Sequence, residues 1–179
     1  MHYSTVCHSP LDLLTLASDG DNLVGLWMKG QKYHGNTLFK NMMENDDIPV
    51  FRATRKWLDR YFAGEKPAIP ELPLAPMGSE FRQKVWRILC DVPYGKTITY
   101  SDIARIIAAK MNKERMSSQA VGGAVGHNPI SIIIPCHRVV GSAGSLTGYA
   151  GGLAAKTKLL ELEGVDMSAL FTPKKGRAL

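Results

Sequence analysis

Four prolines within ten residues, Pro67, Pro70, Pro73 and Pro76, divide this chain. Proline fixes φ and offers no backbone donor, so neither a helix nor a central strand can run through such a stretch. The segment between Gly64 and Gly78 is expected to be extended and stiff, an interdomain linker over residues 67–78. The balance of charge changes sign at the same place. Through residue 80 the chain carries eight Lys+Arg and ten Asp+Glu, net −2; from residue 81 it carries fourteen and six, net +8. A basic half beside a mildly acidic one suits a polyanion-binding module with a companion domain, although a basic surface without a specific partner is the plain alternative. A length of 179 residues is enough for two small cores. The expected organisation is a sheet-plus-helix domain over 1–66, the linker 67–78, a second domain over 79–170 and a basic tail over 171–179.

Residues 3–28 have the pattern of short strands, with a turn at Asp19-Gly20-Asp21-Asn22 before the apolar run Leu23–Met28. A helix is expected over 50–63, where Val50, Trp57, Leu58, Tyr61 and Phe62 recur near helical spacing and Gly64 stands at the stop. Beyond the prolines, Ser79 is placed to cap a helix burying Phe81, Val85, Ile88 and Leu89. A turn at Pro93-Tyr94-Gly95 leads to a second helix from Thr99–Ser101, with Ile103, Ile106 and Ile107 inward. Ser117 or Ser118 can cap a third, Gln119–Val125, after a polar basic loop at Lys110–Arg115. Two short helices in a basic region suggest a helix-turn-helix. The third helix is almost entirely Ala, Gly and Val, and each interior Gly costs roughly 1 kcal/mol of helix propensity. Something must approach its backbone closely, either a neighbouring element of the fold or a nucleic-acid backbone. A last helix, Gly152–Leu162, ends at Gly164 and places Glu163 against the unfavourable end of the helix dipole, where a solvated, frayed Glu is the plain reading.

Several function classes drop out. No apolar run reaches the ~18 residues a membrane helix needs, and the first residues show neither the basic start nor the apolar stretch of a secretory signal. Cys7, Cys90 and Cys136 are odd in number and widely spaced, which speaks for reduced thiols in an intracellular setting. The five histidines show no metal-ligand spacing, and Gly148-Tyr149-Ala150-Gly151-Gly152 lacks the Lys-Ser/Thr ending of a phosphate loop, so neither metal nor cofactor is expected.

The chemistry concentrates between Asn128 and Val140. An apolar, strand-like run from Ile130 ends at Pro135, and Cys136-His137 follow before a Gly-rich loop from Gly141 to Gly152. Reactive groups are commonly presented in this way. Adjacent residues on an extended chain face opposite sides, so direct Cys–His pairing needs a turn there or a bridging water. A buried cysteine beside a satisfied core histidine is the alternative.

Pro135-Cys136-His137-Arg138-Val139 is similar to the signature of the methylated-DNA–protein-cysteine methyltransferases, the alkylguanine-DNA alkyltransferases. Asn128-Pro129, Gly122-Gly123, Tyr149-Ala150-Gly151-Gly152-Leu153, Pro93-Tyr94-Gly95 with Thr99-Tyr100, and Leu162-Glu163-Gly164 resemble that family in order and spacing over about residues 79–166. The N-terminal strands and Tyr61-Phe62-Ala63-Gly64 resemble its less specific first domain. The resemblance implies an α+β, two-domain protein: a ribonuclease-H-like sheet and helix, then a mostly helical, winged helix-turn-helix-like alkyltransferase domain.

It also implies direct-reversal DNA repair. An alkylated guanine is flipped from duplex DNA, and its alkyl group passes irreversibly from O6 to Cys136, with O4 of thymine a further candidate substrate. His137 would take the thiol proton through a water, Glu163 would orient the imidazole, Asn128 would order the turn, and Tyr100 would donate a hydrogen bond to the departing guanine. Tyr100, Ser101, Gln119, Ala120, Gly122, Gly123, Arg82, Arg115 and Arg138 are the implied DNA contacts. Val139, Val140, Ser145, Tyr149, Ala150 and Gly151 are the implied wall of the alkylguanine pocket, reading the base through backbone groups. The recognition helix would enter the minor groove, where small residues permit close approach. The partner is double-stranded DNA and not a membrane, the protein is a monomer, and the compartment is the cytoplasm, or the nucleus of a eukaryote.

Two departures stand out. Gln119 occupies the place where the family usually has an arginine that fills the gap left by the flipped base, and the loop at Lys110–Arg115 is longer than usual. A non-enzymatic alkyltransferase-like lesion binder would lack Cys136, and a Cys-His hydrolase would need an oxyanion hole that nothing here suggests.

Overall fold

The computed structural model describes residues 1–34 and 42–173. Most of the expected basic tail, residues 174–179, lies outside the described residues. Contacts divide the chain into two compact units, Met1–Gly78 with Pro129–Ile133, and Ser79–Asn128 with Ile134–Leu179. Residues 129–133, expected within a continuous second domain, therefore cluster with the first.

The first unit is a four-stranded sheet and one helix. Strands β1 (His2–Ser9), β2 (Asp12–Ser18) and β3 (Leu23–Met28) form an antiparallel meander, and β4 (Met42–Glu44) adds to β1 in parallel, giving the order β3-β2-β1-β4. Leu14 and Leu16 of β2, two residues apart and so on one face, are fully buried, as are Leu23 and Leu26 of β3. Helix α1 (Pro49–Phe62) opens on proline, whose fixed φ suits a first helical position, and packs against β2 and β3 through Val50, Phe51, Trp57, Leu58 and Tyr61. Phe62 remains only partly buried.

The proline-rich stretch is not a free linker. Leu23 N donates to Pro73 O at 2.8 Å and Ala75 N to Leu23 O at 2.9 Å, so the segment lies along β3 like a short extra strand. Prolines at 73 and 76 leave the intervening Ala75 N–H free to pair, which is how a proline-rich strand can serve as an edge.

The second unit is helical. Ser79 accepts from Arg82 N and caps α2 (Glu80–Cys90); Thr99 and Asp102 form a capping box at α3 (Tyr100–Lys110); Ser117 caps α4 (Ser118–Gly126). Helix α4 packs on both α2 and α3, and Trp86 Nε1 donates to Ala124 O at 2.8 Å. Trp86, not Phe81, is the large buried aromatic of α2, and Ile106, expected inside, is 37% exposed. A two-stranded parallel ladder, β5 (Ile98–Thr99) with β6 (Val139–Val140), leads to α5 (Leu153–Leu162). Beneath α5, Val140, Leu146 and Leu160 form a buried cluster with Val165, Met167 and Leu170.

The expected strand ending at Pro135 does not form. Residues 131–134 are turns, and Ile132 holds a left-handed φ of 71°, which no strand tolerates. The segment meets β3 through Leu26 N→Pro129 O and Ser131 N→Leu26 O. The β-branched run is explained by burial rather than by strand geometry, since residues 129–134 are all buried.

Candidate active site

Cys136, His137 and Arg138 form one 3-10 turn between Pro135 and β6. With three residues per turn, successive side chains point about 120° apart, so one tight turn separates the thiol from the imidazole and the guanidinium. The turn that the Cys–His pair required is therefore present. Asn128, just beyond α4, closes it: its Nδ2 donates to Ile134 O at 2.8 Å and lies 3.1 Å from Cys136 Sγ. The thiol is not openly presented as the Gly-rich loop suggested, since Cys136 is only 4% exposed.

Glu163 caps the C-terminus of α5, and its position at the negative end of the helix is now explained. Its Oε1 lies 2.7 Å from His137 Nε2 and accepts from an Arg138 terminal nitrogen at 2.9 Å; its Oε2 accepts from Arg138 Nε at 2.8 Å and from Gly95 N at 3.2 Å. Two cationic or donor side chains and one amide outweigh the dipole. Gly95 has a φ of 75°, and a Cβ there would stand 2.8 Å from Glu163 O, so the Pro-Tyr-Gly turn needs glycine to reach the carboxylate.

These neighbours set the charge states. Burial pushes Glu163 up, but hydrogen bonds from His137 and Arg138 more than reverse that, and its carboxyl is held far below the usual range. Burial dominates at His137 and lowers its pKa despite Glu163, so the imidazole is neutral at neutral pH and able to accept a proton. Burial raises the Cys136 thiol, opposed by Asn128, by the charge of Lys156 and by the backbone amides of Cys136 and His137. The resting cysteine is a thiol, and the imidazole that follows it in the chain is neutral.

Arg138 is corrected from a DNA contact to a buried strut. Both of its faces are engaged: it chelates Glu163, donates to Val92 O at 2.6 Å and lies 5.7 Å from the Tyr94 ring centre. Val139 and Val140 are buried in β6, and the Val139 carbonyl accepts from Lys156. Ser145, Tyr149, Ala150 and Gly151 lie half-buried on the Gly-rich loop. Tyr100, at the start of α3, is buried, its phenol pushed up to about 12 by desolvation and the nearby Cys136, and the one Oη proton has two acceptors in reach, Thr147 O at 3.3 Å and Gly148 O at 3.2 Å.

Lys156 was not anticipated. It is fully buried on α5, and its ammonium donates to Val139 O at 2.5 Å and Thr147 O at 3.0 Å. Its position three and four residues before the buried Leu159 and Leu160 was the available signal, because that spacing puts it on the inward face.

On α4, Val121, Ala124 and Val125 face inward, whereas Gln119, Ala120 and Gly123 are exposed and Gly122 is half-buried. A Cβ at Gly123 or Gly126 would meet nothing within 4 Å, so at these two positions no neighbouring element of the described fold requires a glycine. Ser101, Arg105, Lys113 and Arg115 border an open groove of about 390 Å³ between α3 and the 111–118 loop. Arg82 lies in the first turn of α2, half-buried.

Among the described residues no group of three potential metal ligands occurs, and no helix is long and apolar enough to cross a membrane. Residues 1–76 match the family model of the 6-O-methylguanine DNA methyltransferase ribonuclease-like domain, and residues 80–165 that of its DNA-binding domain. The methylated-DNA–protein-cysteine methyltransferase of Haemophilus influenzae is 40% identical over 161 residues, covering 90% of this chain and 86% of that one. The protein of the same name from Methanosarcina acetivorans is 42% identical over 163 residues, covering 90% and 98%. The crystal structure of Mycobacterium tuberculosis OGT in complex with DNA superposes with a TM-score of 0.78 at 39% identity, covering 94% of each chain. With both domains matched and relatives at 40–42% identity over nine-tenths of its length, the chain belongs to the methylated-DNA–protein-cysteine methyltransferase family.

Proposed function

We propose that this protein repairs DNA by direct reversal, moving an alkyl group from O6 of guanine in duplex DNA to Cys136 Sγ in a single, irreversible turnover. The observation that carries the proposal is the buried Cys136, held by Asn128 at 3.1 Å, followed in the chain by a neutral His137 that an ionised Glu163 backs at 2.7 Å. Displacement at an alkyl carbon needs a thiolate. His137 accepts the thiol proton through a water, and Glu163 stabilises the resulting imidazolium. The Sγ–carbon bond forms as the carbon–O6 bond breaks, and the bonding pair stays on the guanine. Tyr100, protonated at any physiological pH, donates a hydrogen bond to the departing base and makes it a better leaving group. Asn128 steadies the sulfur from the other side.

The exposed Gln119–Ala120–Gly123 face of α4 is suited to close approach in the minor groove, with Gln119 filling the gap left by the flipped nucleotide less completely than an arginine would. Ser101, Arg82 and Arg115 reach the phosphates, and the Ser145–Gly151 loop walls the base. The protein acts as a monomer, in the cytoplasm or nucleus where its three free cysteines stay reduced.

Peptide mapping after incubation with a duplex containing one O6-methylguanine tests the assignment. The methyl group is expected on Cys136 and on neither Cys7 nor Cys90, and Cys136→Ser is expected to accept none while still binding DNA. A methyl group on another cysteine, or transfer to Cys136→Ser, would overturn it.

A further inference from the structure

Two donors meet on one carbonyl beside the site. Thr147 O accepts from Lys156 Nζ at 3.0 Å and from Tyr100 Oη at 3.3 Å, and the same phenol reaches Gly148 O at 3.2 Å. The rest of the loop is tied elsewhere: Gly141 N donates to Ser145 O, Leu146 N to Phe171 O, and Gly152 N to Tyr149 O. Residues 147–148 are thus the part of the base-pocket wall held by Tyr100 and Lys156.

A phenol has one proton to donate. Tyr100 cannot serve Thr147 or Gly148 and a departing guanine at once. When it turns to the base, both half-buried residues lose that donor, and Thr147 O keeps a donor from the protein, Lys156, while Gly148 O is left to water. A lysine is seldom fully buried, and here its charge is satisfied by two carbonyls, Val139 O and Thr147 O, that tie β6 to the loop.

We propose that Lys156 is a positioning residue for alkyl transfer, holding the Thr147 carbonyl and so the pocket wall in place while Tyr100 exchanges that carbonyl for the guanine. The exchange is of hydrogen bonds only; the phenolic proton stays on Oη, and the alkyl transfer keeps the balance given above. The proposal rests on Tyr100 as the donor to guanine.

Three variants test it: Tyr100→Phe, Lys156→Met and both together. In the unliganded protein either donor suffices, so amide exchange across residues 145–151 is expected to stay within about threefold of wild type in each single variant and to rise at least about tenfold in the double variant. In transfer both donors are needed at once. The rate of methyl transfer from duplex DNA, divided by the rate of Cys136 alkylation by iodoacetamide at the same pH, is expected to fall about tenfold in Lys156→Met, which removes the charged hydrogen bond to Thr147 O together with that to Val139 O. That ratio removes any effect of Lys156 on the thiolate. An unchanged ratio would overturn the proposal, since Lys156 would then act through the sulfur alone. Loop loosening by Lys156→Met alone would make Lys156 a structural residue and would also overturn it. If Lys156→Met does not fold, Tyr100→Phe decides: preserved loop protection supports Lys156 as a sufficient holder, and tenfold faster exchange refutes it. Failure of the underlying reading is seen separately, as absence of transfer in the wild-type protein or as wild-type transfer by Tyr100→Phe.

Discussion

Glu163→Gln removes one charge from the centre of the relay and leaves its shape. Glu163 and His137 have fully buried side chains, and that of Arg138 is 8% exposed. The carboxylate accepts from Arg138 twice, from Gly95 N and from His137. A glutamine offers one carbonyl oxygen and turns an NH2 toward a donor, so Arg138 becomes a buried cation without its counter-charge. Breaking a buried pair in this way costs about 3–5 kcal/mol. At about 2–4 °C per kcal/mol for a chain of this size, Tm should fall by about 6–20 °C. The pH dependence adds a signature. Glu163 is depressed from 4.5 when folded, so its contribution is present above that value and is lost as pH falls below it. His137 is depressed from 6.5, so its contribution is lost as pH falls below 6.5. Thermal melts from pH 7 to 3 should show wild type losing stability in both ranges, and Glu163→Gln should lack the loss that begins near 4.5. Single-turnover transfer at neutral pH should slow by about 10²-fold, the lower range for a misplaced general base. A variant that melts within 2 °C of wild type, with the same acid limb, would refute the ion-pair account.

Gly123→Ala should raise folding stability by up to about 1 kcal/mol, since the added methyl meets nothing in the protein, while weakening duplex binding; equal or tighter binding in a gel-shift titration would remove α4 from the interface. Gln119→Arg should speed single-turnover transfer from duplex DNA and leave free O6-benzylguanine unaffected, because only a duplex has a stack to fill; equal gains on both would place residue 119 in general electrostatics. Methylation of Cys136 should lower Tm by about 2–12 °C, because a methyl group is forced into the packing around Sγ and Asn128 loses its contact at 3.1 Å; equal melting points would contradict this.

Local signals in the chain were good guides where the determinant was local. The Ser79 cap placed α2, the Thr99–Ser101 start placed α3, Ser117, one of two candidate caps, placed α4, and His137 and Glu163 meet at 2.7 Å. The failures were of two kinds. Ile130–Ile134 are apolar because they are buried, and apolarity alone does not distinguish a strand from a buried turn. Arg138 and Lys156 look like surface cations in a basic half of the chain. Their burial depends on partners distant in sequence, the Glu163 carboxylate 25 residues away and the Val139 carbonyl 17 residues away. The proline-rich stretch likewise looked like a linker until Leu23 supplied its hydrogen-bond partners.

The central claim is that Cys136 is a stoichiometric acceptor of a DNA alkyl group. It is tested most directly by titrating the protein with a duplex carrying a single O6-methylguanine in large excess and following, by intact-protein mass and by product DNA, how many methyl groups are transferred. The account predicts one methyl per protein, carried on Cys136, after which repair stops with the excess substrate untouched. Continued turnover past one equivalent, or tight lesion binding with no change in protein mass, would contradict it.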